Sequence, residues 1–193
     1  ALRHKNQVLR LSRDAAGALR REVIVDDLPT AFYHAGGSIA VGPDGHLYVG
    51  VGDAMLPQLA RDPHAPLGKL LRYTRDGRIP ADNPDPTSPV FVRGLRNTQA
   101  IAWLGDGTLL GADHGPSGMA HEAGLQGRDE FNVLTAGGDY GWPDVTGWDL
   151  ADGITTPAWL WETPIAPAGM AVRPGLAADS ARVLVGGLRG HLE

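Results

Sequence analysis

The sequence predicts an all-β chain of the β-propeller class. Three observations carry this expectation: short strands that repeat at a long fixed period, Asp-Gly hairpin signals inside the repeat, and weak helical periodicity throughout. Ile39-Ala-Val-Gly-Pro-Asp-Gly-His-Leu-Tyr-Val-Gly returns as Ile101-Ala-Trp-Leu-Gly-Asp-Gly-Thr-Leu-Leu-Gly, a spacing of 101 − 39 = 62. Met170-Ala-Val-Arg-Pro, leading to Val183-Leu-Val-Gly, is a looser third copy at 170 − 101 = 69. A second element keeps the same step: Val8-Leu-Arg-Leu-Ser-Arg-Asp returns as Leu70-Leu-Arg-Tyr-Thr-Arg-Asp, with 70 − 8 = 62.

Taken in order, the elements support that class. The best helical candidate is Ala15 to Val25, but its second half, Glu22-Val-Ile-Val-Asp, reads better as strand. Asp44-Gly45 and Asp106-Gly107 sit between apolar runs, where glycine accepts the positive φ of a tight hairpin. Leu47, Tyr48, Val49 and Val51 have the β-branched and aromatic bias of a buried strand. The period exceeds the roughly 40–45 residues of a compact blade. The excess falls in Ala54–Leu67, Asn83–Pro89 and Ser117–Arg128, loops expected on one binding face. At this period 193 residues make about three blades, and a closed propeller needs roughly 4–8. The expectation is one partial propeller domain over residues 1–193, a piece of a larger ring. A compact β-sandwich with decorated loops is the other architecture such strands allow.

Composition narrows the function classes. The chain is 42% hydrophobic and 20% charged, as a packed globular chain requires. Its net charge of −5, without a clustered basic run, argues against a nucleic-acid partner. No segment has the roughly 18 apolar residues of a membrane span. The opening Ala1-Leu-Arg-His-Lys carries neither Met nor the apolar run of a signal peptide. With no cysteine, disulfides and thiolate metal sites are excluded.

The chemistry-bearing residues concentrate between Gly94 and Pro143, with one outlier upstream. His34 lies in Tyr33-His34-Ala35-Gly36-Gly37; a His near neutral pKa suits proton removal from a hydroxyl, and the glycines permit close approach. A loop His that only caps a strand fits the same residues. Arg96-Asn97 offers a permanent cation with five donors, suited to carboxylate or quinone oxygens or, equally, to a surface ion pair. Gly115-Pro116 forms a turn whose carbonyls are hard oxygen donors of the kind Ca²⁺ takes. Asp129-Glu130 and Tyr140 could complete an all-oxygen site, or merely cap strands. No Gly-x-Gly-x-x-Gly opening a helix, P-loop, Gly-x-Ser-x-Gly elbow or His-Glu-x-x-His is present.

In chain order the motifs are His-x-Gly-Gly, Gly-Pro-Asp-Gly-x-Leu-Tyr-Val-x-x-Gly-Asp, Gly-Lys-x-Leu-Arg, Asp-Gly-x-Ile-Pro-x-Asp-Asn-Pro, Arg-Asn-x-Gln, His-Gly-Pro, Asp-Glu-x-Asn and Tyr-Gly-Trp-Pro. From Asn6 to Gly190 the chain resembles the soluble quinoprotein glucose/sorbosone dehydrogenases, also called aldose sugar dehydrogenases. The resemblance implies a six-bladed propeller, the cofactor pyrroloquinoline quinone (PQQ), Ca²⁺, an aldose substrate, an external electron acceptor and a periplasmic or secreted location. It implies that His34 removes the proton of the anomeric hydroxyl while hydride passes to the quinone. Gln58, Arg96, Asn97 and Arg189 then match cofactor contacts, with Arg96 also stabilising the charge that builds on the quinone oxygens. Gly115 and Pro116 match the carbonyls of the Ca²⁺ at the cofactor, and Glu130, Tyr140 and Asp149 a second, structural Ca²⁺.

The chain departs from the family's pattern in places. Tyr33 stands where some members carry Asp, Leu95 where His is common, Thr98 for Pro and Ala100 for Gly. The twelve residues Ser117–Arg128 replace a short link between the two calcium elements. A non-catalytic propeller that binds carbohydrate or protein, and a calcium-dependent lactonase, are the alternatives to a dehydrogenase.

Overall fold

The computed structural model describes residues 4–119, 122, 124–173 and 181–192. Pro174 of the third repeat copy, and Ala120, His121 and Ala123 of the Ser117–Arg128 loop, lie outside the described residues. The described chain is all-β and builds a β-propeller arrangement from thirteen strands. A long hairpin pairs β1 (His4–Arg13) with β2 (Leu19–Thr30). The first four-stranded blade is β3 (Ile39–Val41), β4 (Leu47–Val51), β5 (Lys69–Tyr73) and β6 (Val90–Val92) in that order. The second is β7 (Thr98–Trp103), β8 (Leu109–Asp113), β9 (Asp129–Leu134) and β10 (Trp159–Trp161). A three-stranded sheet of β11 (Pro167–Arg173), β12 (Arg182–Gly187) and β13 (His191–Leu192) follows. Every pairing within the sheets is antiparallel. Pro57–Leu59 forms a 3-10 turn, and Ala15–Val25 is turn and strand rather than helix.

The period seen in the sequence is the step from blade to blade. The fully buried strands β4 and β8 begin at 47 and 109, again 62 apart. Both follow Asp-Gly hairpins, in which Gly45 and Gly107 take φ of 79° and 89°. Alternation along β4 explains why no face of it is polar. Leu47, Val49 and Val51 pack against Val8, Val25 and Leu28 of the hairpin, while Tyr48 joins Leu70, Val92, Leu95, Leu109 and Leu134 between the two blades. A third cluster, Ala100, Ala112, Ile165 and Val185, joins the second blade to the last sheet. Each four-stranded blade is thus covered on both faces by its neighbours, and the hairpin and the last sheet on one.

This stacking puts one end of the strands to use. The chain leaves β4 at Val51 and β8 at Asp113 on the same end, so Ala54–Leu67 and Ser117–Arg128 share a face. Asn83–Pro89 does not join them: antiparallel β5 carries the chain to the opposite end, where Arg72 bonds Asp44, Asp82 and Asn83. The expectation that all three loops share a face therefore fails for Asn83–Pro89.

Candidate active site

At that shared end, His34, Asp53, Arg96 and Trp142 meet from four separate segments. His34 takes the left-handed conformation, φ 53°, unusual for a residue with a Cβ. Its carbonyl lies so close to Gly52 that a Cβ there would collide with it. The same carbonyl accepts the N–H of Ala54, which fixes the loop to the end of β4.

The His34 imidazole is held at both nitrogens. Nδ1 lies 2.7 Å from Asp53 Oδ1, and Nε2 lies 2.8 Å from Arg96 Nη2. A guanidinium can only donate, so Nε2 is the acceptor and the ring proton sits on Nδ1, donating to Asp53. Asp53 is 0% exposed and accepts two further N–H groups, from Met55 (3.0 Å) and from Trp142 Nε1 (2.8 Å). The Trp142 ring also faces the Arg96 guanidinium at 5.6 Å, a cation–π contact.

Arg96 is 2% exposed and its donors are largely spent inside the protein. Nε donates to Glu122 Oε1 (2.7 Å), Nη1 to the His114 carbonyl (3.2 Å), and Nη2 to Ser117 Oγ (2.8 Å) as well as to His34. Nη2 also lies 2.6 Å from Glu122 Oε1. The other oxygen of Glu122 accepts the N–H groups of Ser117 (2.8 Å) and Met119 (2.9 Å). Burial alone would raise the Glu122 carboxyl, but the Met119 amide and the Arg96 cation outweigh it and hold it below the usual range.

The backbone of Arg96-Asn97 is set from below. Asp113, at the end of β8, accepts the N–H of Arg96 and of Asn97, both at 2.8 Å, and the Thr98 hydroxyl at 2.9 Å. Burial nonetheless pushes its carboxyl up. Asn97 Oδ1 accepts from the Gly36 N–H and the Gln99 amide, tying this turn to the His34 loop.

The Gly115-Pro116 turn lines a neighbouring cavity of about 500 Å³ with His114, Asp129, Glu162 and Arg189. Asp129 holds this turn, accepting the N–H groups of Gly115, Ile165 and Ala166. The Pro116 carbonyl accepts the Gly127 N–H at 2.9 Å, which leaves one lone pair on that oxygen. Gln58 does not line this cavity; it is exposed on the 3-10 turn.

Glu130, Tyr140 and Asp149 are placed differently. Glu130 is deep in the sheet end, accepts the Gly147 N–H, and is pushed up to about 7 by burial and by the Asp113 carboxylate beside it. The Tyr140 hydroxyl donates to the Val133 carbonyl and accepts from the Thr135 N–H. Asp149 is an exposed partner of Arg128. Among the described residues no group of three or more His, Asp or Glu side chains could hold a metal.

The sequence therefore singles out His34, Arg96 and Asn97, and the structure brings them together; it also sets Gly115, Pro116 and Arg189 around one cavity. It adds Asp53, Trp142, Asp113, Ser117 and Glu122, to which the sequence reading assigned no role. Asp53 and Trp142 stand inside the Gly-Asp and Tyr-Gly-Trp-Pro motifs and could have been suspected there. Nothing in the sequence around Glu122 marks it.

The chain is similar to known proteins over most of its length. The family model described as glucose/sorbosone dehydrogenase matches residues 3–192. The PQQ-bound aldose sugar dehydrogenase of Streptomyces coelicolor superposes with a TM-score of 0.82 at 34% identity, over 97% of this chain and 54% of that one. Quinoprotein glucose dehydrogenase B of Acinetobacter calcoaceticus is 34% identical over 143 residues, 63% of this chain and 28% of its own length. Aldose sugar dehydrogenase YliI of Escherichia coli is 29% identical over 160 residues, 72% of this chain and 40% of its own. The chain thus spans about half of the solved relative and less of the curated ones.

Proposed function

Because the chain belongs to the glucose/sorbosone dehydrogenase family, we propose that it provides the proton-accepting and cofactor-contacting part of a PQQ-dependent aldose dehydrogenase. The observation that carries this reading is the His34 imidazole, held by Asp53 at Nδ1 with Nε2 turned toward Arg96. That tautomer is the one a general base needs. PQQ, when bound, supplies the two-electron acceptor that oxidation of an aldose to a lactone requires, a role no side chain here can fill.

The chain's own residues divide the remaining work. His34 Nε2 accepts the proton of the anomeric hydroxyl, which has to reach this nitrogen in place of Arg96. Asp53 keeps the ring oriented and stabilises the imidazolium that forms. Arg96 and Asn97 would hold the quinone by its oxygens, and Arg96 would counter negative charge there. Arg189 offers a cation at the cavity rim for the cofactor's carboxylates. Gln58 is proposed as a further cofactor contact from the adjoining loop.

The donor chemistry fits these groups unequally. An anionic quinone suits the cations and amides of Arg96, Asn97 and Arg189. The carbonyls of Gly115 and Pro116 are hard oxygens suited to Ca²⁺, which would polarise a quinone held against it. Of the second set Glu130 sits in the sheet end with its carboxyl pushed up to about 7, the Tyr140 hydroxyl and Asp149 are engaged elsewhere, and these side chains do not make an ion site as they stand. An aldose, an external electron acceptor and an extracytoplasmic location complete the proposal. No described helix is long and apolar enough to cross a membrane.

The test is spectroscopic. Apo-protein is titrated with PQQ, with and without Ca²⁺, and an aldose is then added. We expect a calcium-dependent bound-quinone absorption that the aldose bleaches; His34→Ala should keep the binding and lose the bleaching. A chain that leaves the PQQ spectrum unchanged under both conditions has a different function.

A further inference from the structure

We propose that Glu122 is an internal anion seated on Arg96, which the anionic cofactor must displace in order to bind. The inference rests on the PQQ reading above and goes beyond it, because it assigns a function to the loop in which this chain departs most from its family. Three observations support it.

Arg96 has little donor capacity left. Of its five N–H groups, Nε and Nη2 meet Glu122, Nη2 also serves His34 and Ser117, and one Nη1 hydrogen meets the His114 carbonyl. One Nη1 hydrogen remains, so an oxygen ligand that takes a pair of donors from this guanidinium has to replace an existing acceptor.

The charge balance points the same way. Around Arg96 stand Glu122, Asp53 and Asp113, all buried. With Glu122 seated, the Arg96 cation, the only one at the core of the site among the described residues, is already neutralised, and a polyanionic ligand enters against net negative charge. With Glu122 withdrawn, the guanidinium regains two donors and an uncompensated charge.

Glu122 is also the partner best able to leave. Its second oxygen is held by Ser117 and Met119, which belong to its own loop. That loop is closed on itself by a bridge between Ser117 and Gln126 and by the Gly127 N–H on the Pro116 carbonyl. The Glu122 carboxylate can therefore leave Arg96 together with the Ser117 and Met119 amides without breaking a strand pairing. His34, in contrast, is anchored by Asp53 at its ring and by the Ala54 N–H at its carbonyl. Displacing Glu122 would also free Arg96 to turn from His34 Nε2, so that one event opens both the cation and the base.

The experiment compares apo-protein of wild type, Glu122→Gln and Asp85→Asn by PQQ titration, read by quenching of tryptophan fluorescence. Hydrogen exchange at the Ser117 and Met119 amides is followed in parallel. Asp85 is exposed on the Asn83–Pro89 loop at the opposite end of the strands, where it bonds Thr87, so its variant removes a charge but leaves Glu122 on Arg96. We expect Glu122→Gln to bind PQQ about tenfold tighter or more, Asp85→Asn to stay near wild type, and saturating PQQ to accelerate exchange at both amides in wild type. Equal affinity of wild type and Glu122→Gln overturns the proposal and leaves the cofactor reading intact. So does an equal gain in Asp85→Asn, or amides that stay protected in the PQQ-saturated protein. Absence of binding in all three proteins overturns the cofactor reading, and the displacement proposal with it.

Discussion

Asp53→Asn is the sharpest single test of the His34 geometry, because it changes almost no volume and removes one charge. The carboxylate accepts three N–H groups: His34 Nδ1 at 2.7 Å and Met55 N at 3.0 Å on Oδ1, and Trp142 Nε1 at 2.8 Å on Oδ2. An amide has one oxygen and one NH₂, so it cannot serve all three. With its oxygen in the Oδ1 place, the NH₂ faces the indole N–H, donor against donor. With its oxygen in the Oδ2 place, the NH₂ faces Met55 N–H and forces His34 Nδ1 to become an acceptor. The ring proton then moves to Nε2, against the Arg96 guanidinium, and the base is lost. Either way a fully buried donor goes unmet, at about 1–3 kcal/mol. At roughly 2–4 °C per kcal/mol for a chain of this size, the midpoint of thermal unfolding should fall by several degrees. If the second orientation prevails, long-range proton–nitrogen NMR of the His34 ring, assigned with His34→Ala, should show the tautomer inverted. Turnover in a reconstituted enzyme should fall by roughly 10²–10⁴. A variant that keeps both the wild-type tautomer and the wild-type midpoint would refute the claim that Asp53 sets the base.

Other outcomes follow from the same network. Arg96→Met should cost about 3–5 kcal/mol, since it strands the buried Glu122 carboxylate, whereas Arg96→Met/Glu122→Leu should recover much of that loss; equal midpoints for the two would show the pair to be uncoupled. Glu122 is held below the ordinary carboxylate range when folded, so its stabilising contribution is present above the unfolded value and is lost as pH falls through the folded one. Exchange protection at Ser117 and Met119 should therefore fall on acidification in wild type, and should be lower and less pH-dependent in Glu122→Gln. Lys69→Met removes an ammonium that donates to the carbonyls of Leu59, Ala60 and Leu67. Ala60 also accepts the Gly94 N–H, just before Arg96, so this change should lower the unfolding free energy by on the order of 3 kcal/mol, read as a lower urea midpoint at unchanged slope.

What could be read in advance, and what could not, divides along physical lines. Hairpins and the 62-residue step were legible because Asp-Gly turns and alternating apolar strands are local signals, and β4 and β8 begin at matching places in the repeat. His34 and Arg96 could be named because their chemistry is distinctive wherever they stand. Asp53 and Glu122 were not, because a carboxylate acquires a role only from what folding sets beside it. Asp53 meets Trp142 across 89 positions and Glu122 meets Arg96 across 26. The misplacement of Asn83–Pro89 has the same origin: loop length was visible, but which end of an antiparallel strand the loop leaves from depends on counting every reversal before it.

Asp53, Asp113 and Asp129 lie at or just past the ends of strands on the functional face, and each accepts three donors. A buried carboxylate is costly unless its oxygens are saturated, and saturation by donors from separate segments turns that cost into rigidity. Asp113 fixes the Arg96-Asn97 turn, Asp129 fixes Gly115-Pro116 to the segment at Ile165 and Ala166, and Asp53 fixes His34 against Trp142. Each joins its own segment to one or more others distant in the chain, so none of the three can withdraw without leaving its donors unmet. Glu122 is saturated too, but its two backbone donors travel with it. Of the four acids around this site, it alone can withdraw and keep part of its hydrogen bonding. That difference is why the exchangeable contact belongs on the Ser117–Arg128 loop, while the geometry of base and cation is set by the strands.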